Sequence, residues 1–318
     1  MNGMDWIVLG IPFGIVLLYF GSDWLVKGAK GLALRLGISP FVVGLTVVAI
    51  GSSAPECITS LVSTDNPSLI LGNVVGSNIA NIGLAIALAA MVSPLVARYT
   101  SMRVELAVMI GAALLLVIFA VMGRVGPLEG VLMLVGLVVF LVFLYRVKKG
   151  DGEAVQPVDD GGRVRGYPIL VTMVSAGLVL LYFGATSFID GATELAKSMG
   201  ISDLMVGLIV VAVGTSLPEI CICILAARRG ENDLAVSNIV GSNIFNVIFV
   251  LAVGSLFVDI PIPSTVLYFH LPVMLLLSMV LLLSVRFRNS VSRPVALSML
   301  AIYAAYVAVM AVVPSLTL

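Results

Sequence analysis

Residues 37–56 read GISPFVVGLTVVAIGSSAPE, and residues 200–219 read GISDLMVGLIVVAVGTSLPE. Thirteen of the twenty positions agree at a constant offset of 163. Gly, Ser, Pro and Glu are among the matches, and apolar composition alone does not align those. The copying extends outward from this pair. Leu18-Tyr19-Phe20-Gly21 recurs as Leu181-Tyr182-Phe183-Gly184 at the same offset, and NVVGSNIAN (73–81) recurs as NIVGSNIFN (238–246) at an offset of 165. The chain is written twice, and its fold must be too.

Composition says in which solvent. Of 318 residues, 60% are apolar and only 11% are charged, 17 of each sign. A soluble domain carries about 25% charged residues. An ordinary cytosolic enzyme and a disordered chain are excluded, and so is a nucleic-acid binder, which needs a basic excess. Mean hydropathy is +1.18, and apolar runs of about 20 residues, enough to cross a bilayer core, recur along the chain. This predicts an all-α polytopic membrane protein with ten transmembrane helices, at about 7–26, 39–62, 68–94, 104–123, 127–145, 167–189, 203–226, 233–258, 263–285 and 294–315. The first run follows Asp5 and Trp6 with no basic segment and no cleavage motif, so it reads as a span and not as a removed signal peptide. The domains expected are a first repeat, 1–147, a hydrophilic linker, 148–165, and a second repeat, 166–318. Five helices per half force the halves to enter the membrane from opposite sides, as two inverted repeats, a plan common among secondary transporters.

Charge supports the same arrangement. With the N-terminus outside, the 17 Lys and Arg all fall on inner segments except Arg124 and Lys197. Both termini are then outside and the linker is cytoplasmic. Lys27, Lys30 and Arg35 follow the first helix, whereas the equivalent positions of the second half are Asp190, Thr193 and Ser198. The same element has lost its positive charges where it should face outward. Trp6 and Trp24 lie near opposite ends of the first helix, as an aromatic belt requires.

Most acids lie near helix ends or in linkers, but Glu56 and Glu219, which are repeat equivalents, fall deep in apolar spans. A carboxylate at mid-membrane costs about 2.5–3.5 kcal/mol on insertion scales. Neither segment contains a Lys or Arg to pair with it. Two carboxylates without protein counter-charges suit a divalent cation; the alternative is a protonated glutamate hydrogen-bonded to a neighbouring helix. Gly51-Ser52-Ser53-Ala54-Pro55 and Gly214-Thr215-Ser216-Leu217-Pro218 precede them. Proline removes a backbone donor and clashes with the carbonyl four residues back, so each helix should kink there and free carbonyl oxygens. Carbonyls, hydroxyls and carboxylates are hard oxygen donors suited to Na⁺ and Ca²⁺ and not to zinc or copper. Asn73, Ser77 and Asn81 share one helix face at i, i+4, i+8, and Asn238, Ser242 and Asn246 repeat them. Interhelical hydrogen bonding is the other reading of these residues, above all of Asn73 and Asn238. Gly72, Gly76 and Gly241 are expected to allow close approach of a neighbour. Asp23 and Asp190 are expected to face water, His270 to be interfacial, and Cys57, Cys221 and Cys223 to be packing residues. No P-loop or dinucleotide signature is present.

The paired GSSAPE…NVVGSNIAN and GTSLPE…NIVGSNIFN segments resemble the two α-repeats of the sodium/calcium exchanger family, within the wider cation/Ca²⁺ antiporters. The resemblance covers nearly the whole chain. It implies four cation sites between helices two, three, seven and eight. Ca²⁺ would be held by the carboxylates of Glu56 and Glu219 and the carbonyls of Ser52 and Thr215. Na⁺ would be held by Ser53, Ser77, Ser216 and Ser242 and the carbonyls of Ala49 and Ala212, beside the same two glutamates, with Asn81 and Asn246 at the remaining position. Helices one and six would slide across this ring to give alternating access.

The activity implied is Na⁺-driven Ca²⁺ export across the cell membrane, three Na⁺ for one Ca²⁺. No enzyme activity, no cofactor and no obligate protein partner is expected beyond the two ions and the lipid bilayer. An H⁺/Ca²⁺ exchanger on the same scaffold is the alternative, and a Ca²⁺ channel or sensor a more distant one; the serine-rich flanking positions favour Na⁺. K⁺-dependent members of the family, and some prokaryotic relatives, have an aspartate at the end of the second motif, where this chain has Asn81 and Asn246, so the resemblance implies the K⁺-independent type. The linker is too short for a Ca²⁺-sensing domain.

Overall fold

A computed structural model describes residues 9–62, 67–148, 166–199 and 212–316. Trp6, the linker beyond Lys148 and the start of the span expected at 203–226 lie outside the described residues. The described residues are mainly helical: α1 Gly10–Leu36, α2 residues 40–52, α3 Ala54–Val62, α4 Pro67–Val92, α5 Tyr99–Met122, α6 Pro127–Lys148, α7 Tyr167–Ser198, α8 Ala212–Thr215, α9 Leu217–Arg228, α10 Asn232–Ser255, α11 Val266–Arg288 and α12 Arg293–Val312. Seven of these, α4 to α7 and α10 to α12, are long and apolar enough to cross a membrane.

Two expected helix ends are corrected. α1 runs to Leu36 and α7 to Ser198, about ten residues beyond 26 and 189. The segment GAKGLALRL carries charge but no proline, and Ala, Leu, Lys and Arg are strong helix formers, so the helix continues past its apolar stretch. Hydropathy marks where apolarity stops, not where the hydrogen-bond ladder stops.

Burial sorts the helices. In α4 and α10, 78% and 83% of the apolar window is buried, against 22% in α12 and 28% in α6. α4 and α10 therefore form the centre. The outer helices turn large apolar side chains outward: Val131, Val135, Val138 and Val142 on α6 are all exposed, a face that suits lipid and not water. α1 lies along α7 for most of its length. Gly14 abuts Gly184 and Phe188, and Gly21 abuts Gly177 and Leu181; a β-carbon on Gly14 would come 2.6 Å from the Gly184 carbonyl. The glycines are there because the two backbones touch. Two short antiparallel strand pairs tie the ends of the outer helices, Leu95–Val96 with Ser290–Val291 and Arg124–Val125 with Ile260–Pro261.

Two further expectations, on Asp23 and Gly76, are corrected. Asp23 does not face water. It is buried, bonded to Lys27 Nζ at 2.8 Å and ion-paired with Arg229 in the α9–α10 turn, while Asp190 is exposed as expected. His270 lies near the start of α11. It is buried, with Nδ1 2.8 Å from the Tyr306 hydroxyl and Nε2 2.8 Å from the Leu316 carbonyl. Gly76 has open space where its β-carbon would be, whereas Gly241 does permit close approach, its β-carbon position lying 2.6 Å from the Leu45 carbonyl of α2. Of the cysteines, Cys223 is buried, Cys57 and Cys221 are partly buried, and all three are free thiols.

Candidate cation site

The site is built where two broken helices meet the two central ones. The first break falls at Ser53, between α2 and α3, with φ −84° and ψ 8°; the second falls at Ser216, between α8 and α9, with φ −87° and ψ 3°. Both lie two residues before a proline, as the Gly-Ser/Thr-Ser-x-Pro-Glu segments predict. Each break leaves a glutamate in the first turn of the helix that follows, Glu56 in α3 and Glu219 in α9. That end of a helix favours negative charge. α4 and α10 each pass through a π-helical stretch, Asn81–Ile86 and Asn246–Val250, and each stretch opens on a predicted site asparagine. π-bulges of this kind re-aim side chains at functional positions.

Glu56 and Glu219 are both fully buried. Among the described residues neither has a Lys or Arg partner. Glu219 Oε1 accepts from Ser53 Oγ at 3.3 Å and from Ser242 Oγ at 3.4 Å. Ser53 belongs to the first half and Glu219 to the second, so the site is shared between them. Both oxygens of Glu56, Oε2 of Glu219, Oγ of Ser216 and Oδ1 of Asn81 and Asn246 are buried without a hydrogen-bond partner. An unsatisfied buried polar group costs about 1–3 kcal/mol, more if charged. Six such oxygens, on motif residues of the two halves, are of the donor type that hard cations take. Among the described residues there is no group of three or more His, Cys, Asp or Glu, so the donors are carboxylate, hydroxyl and amide oxygens and not transition-metal ligands.

The remaining predicted residues take their places around this set. Ser52 is buried, and its hydroxyl reaches Asn238 Oδ1 at 3.3 Å, a second bond between halves. Ser77 is buried on α4 and Ser242 on α10. The Ala49 carbonyl accepts the Ser53 N–H at 3.0 Å and lies 3.4 Å from the Ser52 hydroxyl. Thr215 closes α8 and is half-buried, and Ala212 is the first described residue of α8. Asn73 is not aimed at the cation set: its Nδ2 donates to the Glu56 carbonyl at 3.0 Å and to Ser60 Oγ at 3.3 Å. It supports α3 against α4.

Sequence reasoning passed over Asn78 and Asn243. Both are buried, and each amide nitrogen donates to the other's main-chain carbonyl, at 3.2 and 3.3 Å. The signal was available: Gly-Ser-Asn stands in both copies, at 76–78 and 241–243. Glu105, which the sequence reading did not single out, is also fully buried, in the second turn of α5.

Comparison with known proteins follows the same lines. The sodium/calcium exchanger protein family matches residues 6–146 and 169–312. The chain is 31% identical to the sodium/calcium exchanger MaX1 of Methanosarcina acetivorans, over 93% of this chain and 96% of that one. It is 34% identical to an uncharacterised membrane protein of Methanocaldococcus jannaschii, again over 93% and 96%. Among solved structures it is similar to the sodium-calcium exchanger NCX_Mj soaked with Na⁺ and Sr²⁺, at a TM-score of 0.82 and 30% identity over 95% of this chain and 97% of that one.

Proposed function

This chain belongs to the sodium/calcium exchanger family, and from that premise we propose that it exports Ca²⁺ in exchange for Na⁺ by alternating access, three Na⁺ for one Ca²⁺. One observation carries the reading: two fully buried glutamates, without basic partners among the described residues, sit among buried oxygens that nothing else satisfies. A divalent cation between Glu56 and Glu219 neutralises both charges. Hydroxyls and amide oxygens around them offer weaker, uncharged places for monovalent ions. Ca²⁺ is assigned to Glu56, Glu219 and the carbonyls of Ser52 and Thr215. Na⁺ is assigned to Ser53, Ser77, Ser216, Ser242, Asn81 and Asn246 with the carbonyls of Ala49 and Ala212 and the same two glutamates, Glu56 and Glu219.

The proposal includes ten spans in two inverted halves. Contacts support it. At the repeat offset, Gly14 corresponds to Gly177 and Gly21 to Gly184, so the Gly14–Gly184 contact maps onto the Gly177–Gly21 contact. The strand pairs behave alike, because 95–96 corresponds to 260–261 and 124–125 to within a residue of 290–291. An element set that contacts itself reciprocally has two-fold character. Placing both termini outside and the linker in the cytoplasm follows from the Lys and Arg distribution.

The test is uptake of radioactive Ca²⁺ into proteoliposomes loaded with Na⁺, with and without an outward Na⁺ gradient. The expected result is accumulation that needs the gradient. Accumulation driven by a proton gradient and indifferent to Na⁺ would replace this reading with H⁺/Ca²⁺ exchange.

A further inference from the structure

Asn78 and Asn243 follow the site serines Ser77 and Ser242 and lock α4 to α10 through their reciprocal amide-to-carbonyl bonds. An amide has one donor side and one acceptor side. Because Asn243 Nδ2 is committed to the Asn78 carbonyl, its Oδ1 is the atom left to meet the next turn of α4. There it accepts Asn81 Nδ2 at 3.0 Å. Asn81 is therefore held by its nitrogen, and its Oδ1 is left buried and without a hydrogen-bond partner.

The other copy is not built this way. The equivalent bond would run from Asn246 Nδ2 to Asn78 Oδ1, yet both of those atoms, and Asn246 Oδ1 as well, are buried without partners. Asn78 holds α10 and orients nothing; Asn243 holds α4 and orients Asn81.

Resting on the cation-site reading above, we infer that Asn243 is a positioning residue: it fixes the Asn81 amide so that an oxygen, and not an N–H, is presented to the transported cation. An alkali or alkaline-earth cation takes oxygen ligands and is repelled by an amide N–H. An Asn81 free to flip would spend part of its time offering the wrong side. Asn243 touches no ion in this assignment and acts only through Asn81.

The experiment compares the two asparagines that a symmetric site would make equal. The Na⁺ dependence of Ca²⁺ flux is measured in proteoliposomes for Asn243→Leu and Asn78→Leu. Each variant loses one amide-to-carbonyl bond between α4 and α10, but only the first releases Asn81. Asn243→Leu is expected to raise the half-saturating Na⁺ concentration about tenfold, a shift on the scale of losing one polar contact to a charged group, with the maximal rate changed by less than about threefold. Asn78→Leu is expected to shift it by less than about twofold. In an Asn81→Ala background the extra effect of Asn243→Leu should vanish, because nothing remains to be positioned. Equal shifts for the two variants, or a tenfold shift that persists on Asn81→Ala, would overturn the inference and leave Asn243 as packing. Should Asn243→Leu not fold, Asn243→Ser carries the same comparison, since a serine hydroxyl is too short to reach Asn81. Absence of Na⁺-dependent flux in the wild-type protein is a separate result: it refutes the exchanger reading, and this inference with it, before any variant is compared.

Discussion

Glu56 and Glu219 sit in nearly identical sequence, yet their surroundings differ. Glu219 receives hydroxyls from Ser53 and Ser242, while both oxygens of Glu56 stand without a hydrogen-bond partner. The serine that corresponds to Ser53 is Ser216, and its hydroxyl is also unpartnered. The same imbalance appears at the asparagines, where Asn81 is anchored and Asn246 is not. The duplicated motif supplies the same donors twice, but hydrogen bonds between halves depend on sub-ångström apposition, and the two sides are not docked identically. One carboxylate is therefore partly satisfied by protein hydroxyls, and the other is not.

The sharpest way to break this comparison is to remove either charge. Glu56→Gln and Glu219→Gln are each expected to leave less than about a tenth of wild-type Ca²⁺ flux in proteoliposomes, because a divalent cation in an apolar ring needs both charges. Retention of most of the flux in one variant would show that the two glutamates are not joint ligands.

The next effect follows from the two glutamates being the only acids assigned to the site. With both ionised, one Ca²⁺ brings the ring to zero and three Na⁺ bring it to plus one, so each cycle of Ca²⁺ export carries one positive charge inward. An inside-negative potential should favour export by about 2.3 kcal/mol per 100 mV, more than a tenfold change in the equilibrium Ca²⁺ ratio. The readout is that ratio in proteoliposomes clamped with a K⁺ ionophore. A ratio that ignores the potential would mean two Na⁺ per Ca²⁺.

A smaller effect isolates the unequal hydroxyls. Ser53→Ala strips a hydrogen bond from buried Glu219 and should destabilise the protein by about 1 kcal/mol in ion-free solution. Ser216→Ala removes a hydroxyl that has no partner and should cost close to nothing. Thermal unfolding of the two variants in detergent without Na⁺ or Ca²⁺ decides it; equal shifts would mean that the two serines are equivalent after all.

The smallest expected effect is none. Replacing K⁺ with choline should leave Na⁺-driven Ca²⁺ flux unchanged, because Asn81 and Asn246 are amides where K⁺-dependent relatives carry a carboxylate. A collapse of flux without K⁺ would assign the chain to the other subtype.

Much of this was legible in the residues alone. Apolar runs, the 163-residue offset and the absence of basic residues near Glu56 and Glu219 led to a duplicated membrane transporter with an oxygen-donor cation site. Hydropathy is a local property, and a repeat is a comparison of text with text, so neither requires knowing what touches what. The kinks at Ser53 and Ser216 belong here too, since proline acts on its own backbone. Only the tertiary structure decided the rest. Asp23 looked like a water-facing acid until the α9–α10 turn brought Arg229 against it. Nothing near His270 in the sequence marks its partners, the Tyr306 hydroxyl and the Leu316 carbonyl, which packing brings against it. Asn243 had no part in the sequence reading, and only packing brings α4 close enough to take both sides of its amide. The physical reason is common to all three. A polar side chain in an apolar interior is defined by the partner that satisfies it, and here that partner lies 36 to 206 positions away along the chain, on an element that only packing brings near.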